Sequence, residues 1–242
     1  MDPALVFELT HLMHSDMPVY PGKGKPRISA AASLDTDGYR ELRIELDGHT
    51  GTHMDAPAHM LQGGMTLDKY PASHFTGEAL LMDIPEGTCE ISLSFLQKRE
   101  ENMAGLDYLL FRTGWSSLWE HEEYLRNFPV LSVEAAGWLA GKSLKGIGLD
   151  AISVDPVESD TWPVHHILFS AGMVLVEAMA SGLVPVVSDL PVLRNFIHQA
   201  VNGVKVPVED VPALSDAIQQ LSRDPSRQAE LASNAVESIH DK

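Results

Sequence analysis

Apolar and polar positions alternate through "RELRIEL" at 40–46, with Leu42, Ile44 and Leu46 on one face and Arg43 and Glu45 on the other. That alternation predicts a half-buried strand. Three compact apolar runs, "ALLMDI" at 79–84, "DYLLFRTG" at 107–114 and "KGIGLDAISVD" at 145–155, close on or beside Asp or Gly and predict buried strands. Helices are expected at 92–103, 117–126 and 132–140, the last opened by Ser132 as N-cap with Glu134 in its first turn. The order is mixed α and β, without a clean βαβ alternation.

Past Gly172 the texture changes. "MVLVEAMASG" at 173–182 reads as a helix closed by Gly182, "LVPVVSD" at 183–189 as a short strand, and "PVLRNFIHQAVNG" at 191–203 as a helix begun by Pro191 and ended by Gly203. "VKVPVED" then predicts a strand, and "VPALSDAIQQLSRD" and "PSRQAELASNAVESI" two amphipathic helices. No low-complexity linker marks the change, which falls inside a segment read as helix, whereas domain boundaries usually lie in exposed polar linkers.

At 242 residues the chain can be one large domain or a domain plus a fragment. Thirty-four acidic against 17 basic residues give a net charge of -17, which repels a phosphate backbone or an anionic membrane surface, so neither is expected as a partner. Cys89 is the sole cysteine, which excludes an internal disulfide and suggests a reducing compartment; with no base near it in sequence it reads as an inert thiol. The start "MDPALVFELTHLMH" lacks a basic leader before an apolar run, and no stretch approaches the ~20 apolar residues of a membrane span. A cytoplasmic location is the expectation.

Candidate chemistry concentrates in "HTGTHMDAPAH" at 49–59. A lone histidine is ordinarily a surface residue. Four groups this close, His49, His53, Asp55 and His59, with Gly51 and Pro57 shaping the backbone between them, instead suggest a ligand cluster for zinc, manganese or iron.

This run resembles the signature of the cyclase family of metal-dependent hydrolases, which includes bacterial kynurenine formamidase and isatin hydrolase. "LTHLMHSDMPVYPG", "GHTGTHMDAPAHMLQGGMTLDKYP" and "LKGIGLDAISVDPVESDTWPVHHILFSAG" resemble its three sequence blocks, so the likeness spans about residues 5–177. It implies an α/β protein with a swivelling β/β/α domain over 1–177. That domain would hydrolyse an amide, formamide or cyclic amide of a small molecule with one or two divalent ions, zinc or manganese. It also implies that His49, His53 and Asp55 hold a first ion, that Asp55 reaches a second, that His165 binds the second, and that Glu177 bridges both. Such ions bring the pKa of water toward neutrality, and the resemblance makes His59 the acid/base. Tyr20 stands where kynurenine formamidases carry a tryptophan lining the substrate pocket, which points away from kynurenine while keeping an aromatic wall. His166 is assigned a supporting role beside His165, and His11, His14, His74 and His121 structural or surface roles. A homo-oligomer is compatible with all of this.

"VLVEAMASGLVPVVSDLPVLRNFIHQAVNGVKVPVEDVPALSDAIQQL" resembles the C-terminal end of retaining glycosyltransferases, over about residues 173–240. A Rossmann-like, mainly helical fragment over 178–242 is implied, in which the glutamate of "EAM" would contact a donor sugar nucleotide. The earlier glutamate of that family corresponds here to Phe169, and its N-terminal domain is absent, so a nucleotide site between two domains cannot form. Glu177 is thus claimed by two patterns. The leading reading is a hydrolase; an inactive chimera that keeps its metal ligands, and then a glycosyltransferase, are the alternatives. The tail from about Gly182 is expected to dock loosely and to bind no nucleotide sugar.

Overall fold

The computed structural model describes residues 9–179 together with 186–188, 199, 204–206, 213, 216, 217, 220, 221, 227, 230 and 231. The chain divides into two compact units, Thr10–Ser181, and Gly182–Lys242 with Met1–Leu9. In the larger unit the strands are β1 (Arg27–Ala32), β2 (Glu41–Glu45), β3 (His53–Asp55), β4 (Ala79–Asp83), β5 (Glu90–Ile91), β6 (Tyr108–Arg112), β7 (Val130–Leu131), β8 (Gly146–Leu149) and β9 (Val174–Glu177). Its α-helices are α1 (Leu34–Asp37), α2 (Leu93–Gln97), α3 (Val133–Ala140) and α4 (Pro163–Ser170).

The central sheet has the order β3-β9-β8-β6-β4. Four of its strands run parallel, and β3 closes one edge antiparallel to β9. Parallel strands covered on both faces need near-continuous apolar runs, and Leu109, Ile147 and Leu175 are accordingly sealed from solvent. A Cβ at Gly148 of β8 would stand 2.7 Å from both Leu110 Cδ2 and Met179 Sδ, so those side-chain ends would have to move. Helices α3 and α4 pack on one another and bring Ala135, Ala136, Leu139, Leu168 and Phe169 into the core. Each large apolar side chain so buried contributes about 1.5–3 kcal/mol. Ser132 caps α3 as its sequence predicts, its Oγ accepting from Ala135 N at 3.1 Å. Among the described residues no helix is long and apolar enough to cross a membrane.

Several expectations need correction. The segment 117–126 is not an α-helix: two 3-10 turns, Trp115–Leu118 and Glu122–Leu125, flank Glu120, whose φ of 72° no right-handed helix contains. The helix expected at 92–103 is the short α2 followed by a 3-10 turn at Glu100–Met103. "RELRIEL" does form β2, paired antiparallel with β1, yet it is exposed throughout, with Leu42 at 63% and Ile44 at 52%; alternation reports a two-faced strand, not what covers it.

The largest correction concerns "MVLVEAMASG". Val174 to Glu177 form β9, lodged between β8 and β3, where the expected helix cannot stand. The short run "VLV" suits either element by apolar pattern, and its two β-branched residues fit a pleated, buried site. Gly172 at φ 79° and Ala178 at φ 53° bracket the strand. The change of sequence texture therefore follows a strand and not a helix.

In the smaller unit β10 (Val186–Ser188) and β11 (Val204–Val206) pair in parallel, where two short strands were expected. Ala213, Asp216, Ala217, Gln220, Leu221, Arg227, Glu230 and Leu231 are helical, and Ala217 and Leu231 are buried. The helix expected at 191–203 lies outside the described residues except at Gln199, which forms an isolated bridge.

Candidate metal centre

One half of the site is carried by residues 49–59. In a strand alternate side chains share a face, so β3 presents His53 and Asp55 on the same side. The β3/β9 register sets His53 opposite Glu177, and directly opposed residues of an antiparallel pair also share a face. Asp55 is buried; its Oδ1 lies 2.5 Å from His49 Nδ1 and 3.1 Å from His53 Nε2. His53 Nδ1 faces Gly51 O at 2.8 Å, which makes Nδ1 the protonated nitrogen and turns Nε2 toward the carboxylates. That Nε2 is buried and, although close to Asp55, has no partner in hydrogen-bonding geometry.

The loop before β3 is held firmly. Gly51 has φ 69°, a conformation that favours glycine, and a Cβ there would push on the terminal methyl of Met17. Thr52 Oγ1 donates to Ala178 O at 2.6 Å and accepts from His11 N at 3.0 Å. After β3, Pro57 opens a 3-10 turn ending at His59, whose ring lies on that of His49 at 3.8 Å between centroids.

The other half comes from the segment after β8, from α4 and from β9. Val154 N donates to Glu177 Oε1 at 3.2 Å. Asp155 accepts from Val164 N at 3.1 Å, from His165 N at 3.0 Å and from His165 Nδ1 at 2.7 Å. One carboxylate thus caps α4, whose N-cap Trp162 gives no side-chain hydrogen bond, and aims His165 Nε2 to within 3.3 Å of Glu177 Oε1. Trp162 at φ 39° and Ala178 at φ 53° both line the cleft in a conformation that costs non-glycine residues about 1–2 kcal/mol each.

Electrostatics follow from this packing. Burial alone would depress His165, but hydrogen bonds to Asp155 and Glu177 overcome it and lift its pKa to about 9. Burial opposes the charge on His53 too, and Asp55 reverses the balance, so His53 is raised. Burial would raise Asp55, yet the hydrogen bond with His49 and the close imidazole of His53 hold it well below the usual carboxylate range. His59 moves the other way: burial lowers it, Asp55 partly restores it, and the neighbouring imidazoles add to the lowering.

Ligand atoms of His49, Asp55 and His59, and again of His53, Asp55 and Glu177, lie within 4.8 Å of one another. Two carboxylates, neutralisable imidazoles and a buried nitrogen without a hydrogen bond fit a divalent cation. His49, His53, Asp55, His59, His165 and Glu177, with Tyr20, line one cleft of about 360 Å³ that Met60, Trp119 and Trp162 also wall. The Tyr20 hydroxyl lies 3.4 Å from Val157 O.

His166, next to His165 on α4, does not line this cleft. His11 stacks flat on Trp119 at 3.9 Å, and burial takes its pKa down to about 4. His14 pairs with Glu120 at 2.8 Å, His74 packs on Tyr70 and Phe75, and His121 precedes a 3-10 turn. Cys89 is exposed. Asp155 is the site residue that sequence reasoning missed; its signal was an acidic residue in "SVDP" shortly before a Pro-initiated helix bearing His165.

A family model described as "Putative cyclase" matches residues 7–156, and the chain belongs to that family. A second, described as "Glycosyl transferases group 1", matches residues 169–238. The chain is similar to a kynurenine formamidase of Erythrobacter litoralis, 28% identical over 181 residues, which cover 74% of this chain and 81% of the relative. Among solved structures, isatin hydrolase A from Labrenzia aggregata, bound to benzyl benzoate, superposes with a TM-score of 0.64 at 23% identity, over 72% of this chain and 80% of that one. A "predicted metal-dependent hydrolase" from Bacillus stearothermophilus gives a TM-score of 0.57 at 29% identity, over 72% and 81%.

Proposed function

We propose that the chain is a divalent-metal-dependent hydrolase of an amide, formamide or cyclic amide bond in a small molecule. The observation that carries this reading is the convergence of His49, His53, Asp55, His165 and Glu177 from two distant segments on one cleft. These five residues would hold one or two ions, zinc or manganese. Bound there, a divalent ion would supply polarisation of a carbonyl and activation of water.

The protein's own groups then have distinct tasks. Asp155 and Gly51 O orient His165 and His53 so that Nε2 of each faces the carboxylates. His59, whose pKa burial lowers, accepts a proton from water and returns it to the departing nitrogen. Tyr20, Trp119, Trp162 and Met60 exclude water and favour a flat, apolar substrate. Kynurenine formamidase and isatin hydrolase relatives support a substrate of this kind, while Tyr20 sets this cleft apart from the tryptophan expected of kynurenine formamidases.

A glycosyltransferase reading lacks its second carboxylate, since Phe169 occupies that place and is buried in the core. Elemental analysis of the purified protein, with hydrolysis assays on N-formyl anilines and lactams, tests the proposal. Zinc or manganese and amide hydrolysis are expected in the wild type, and Asp55→Ala should lose both. Equal metal in the two proteins would overturn Asp55 as the shared ligand, and a metal-loaded wild type inert to every amide would overturn the activity.

A further inference from the structure

Ser153 lies between β8 and α4, is 4% exposed, and lines the cleft opposite no assigned partner. Its Oγ accepts the N–H of Asp155 at 3.3 Å, which fixes the hydroxyl from one side. A serine hydroxyl also carries one donor, and among the described residues no group accepts it. The residues around it are already committed: Val154 N–H to Glu177, and Asp155 to His165 and the first N–H groups of α4. Buried polar groups in proteins almost always find a partner. A hydroxyl so placed at a cleft wall is suited to a ligand that brings the acceptor.

We propose that Ser153 donates a hydrogen bond to the acyl oxygen of the bound substrate, and that this bond strengthens as the oxygen takes up negative charge. The proposal rests on the amide-hydrolase reading above. In the step concerned, water oxygen bonds to the acyl carbon while its proton passes to His59, and the carbonyl π pair moves onto the acyl oxygen, which Ser153 holds. When that pair returns, the C–N bond breaks and the nitrogen takes the proton from His59. Ser153 keeps its own proton throughout.

Donors of this type are worth about 10²–10³ in rate when removed. Ser153→Ala should therefore lower kcat by about 10²–10³-fold with KM and metal content changed by no more than about twofold. Ser153→Thr, which keeps the hydroxyl, should recover most of the loss. A phosphonate that mimics the tetrahedral state should bind Ser153→Ala more weakly by the same factor as kcat/KM falls, while the carboxylic acid product binds equally well. If Ser153 only ties the loop to Asp155, the variant will instead lose metal and thermal stability in step with activity, and the proposal falls. It falls equally if kcat is unchanged in a metal-loaded variant. A wild type that hydrolyses no amide would remove the functional reading and this proposal together; an active wild type matched by Ser153→Ala would remove this one alone.

Discussion

The two halves of the site reach the same cleft by different routes. Residues 49–59 carry four chemical groups in one short stretch, and a Gly, a Pro and a three-residue strand suffice to aim them. His165 and Glu177 are delivered by a helix and a central strand, and depend on Asp155 and Val154 N–H to face each other. The first half is a local device, and the second is a product of sheet topology. Substitutions in the second should therefore act through alignment and ion affinity, whereas the first combines proposed ion ligands with the proton-passing His59.

The largest expected effect lies in the first half. His59→Ala should keep its metal and lose about 10²–10⁴-fold in kcat. Because His59 also lies within ligand distance of His49 and Asp55, elemental analysis of the variant is decisive: metal lost in proportion to activity would make His59 a ligand. In the second half, Asp155→Asn removes the charge that orients His165 and should weaken ion affinity by about 10–100-fold. Competition against a chelator measures it; unchanged affinity would mean that His165 is aligned without Asp155.

Proton linkage is expected at His165 of the second half. Ion-free His165 keeps its proton up to about pH 9, above its ordinary 6.5. Its pairing therefore stabilises the ion-free fold fully below the unfolded value, and this is lost as pH rises through 9. A ligand nitrogen must be deprotonated, so ion binding at pH 7 should release a proton and tighten by up to about tenfold per pH unit until about pH 9. Titration calorimetry in buffers of different ionisation heat reads that proton. Binding without release would mean that His165 stays outside the ligand set.

The smallest effect is expected at the end of β9. Ala178→Gly relieves a φ of 53° and should raise stability by about 1–2 kcal/mol without changing metal content. Thermal unfolding checks it, and a loss of stability would show that the alanine methyl contributes more by packing than the backbone costs.

What sequence made legible follows the same division. His49, His53, Asp55 and His59 announced themselves because their chemistry is contiguous. Asp155 did not, because a carboxylate in a loop is ordinary until a helix start is known to stand over it. The strand at Val174 to Glu177 was read as a helix because "EAMASG", which begins at its last residue, has helical composition and because three apolar residues in a row carry no period. Only the neighbouring strands β8 and β3 decide the matter. The exposure of β2 was hidden for a similar reason, since Leu42 and Ile44 alternate whether or not a layer covers them.

The pairing of β3 with β9 has a bearing on how the protein is made. Thr52 and Ala178, joined by a hydrogen bond at the end of that pairing, are 126 residues apart. As the chain leaves the ribosome, His49, His53 and Asp55 emerge long before the strand that carries Glu177. An ion bound by those three residues alone would lack the ligands proposed from the second half and would exchange more readily. Only when β9 has inserted and β3 has docked along it are the last carboxylate and the sheet edge both in place. Under the proposed function, ion retention would therefore report that this long-range pairing has been made.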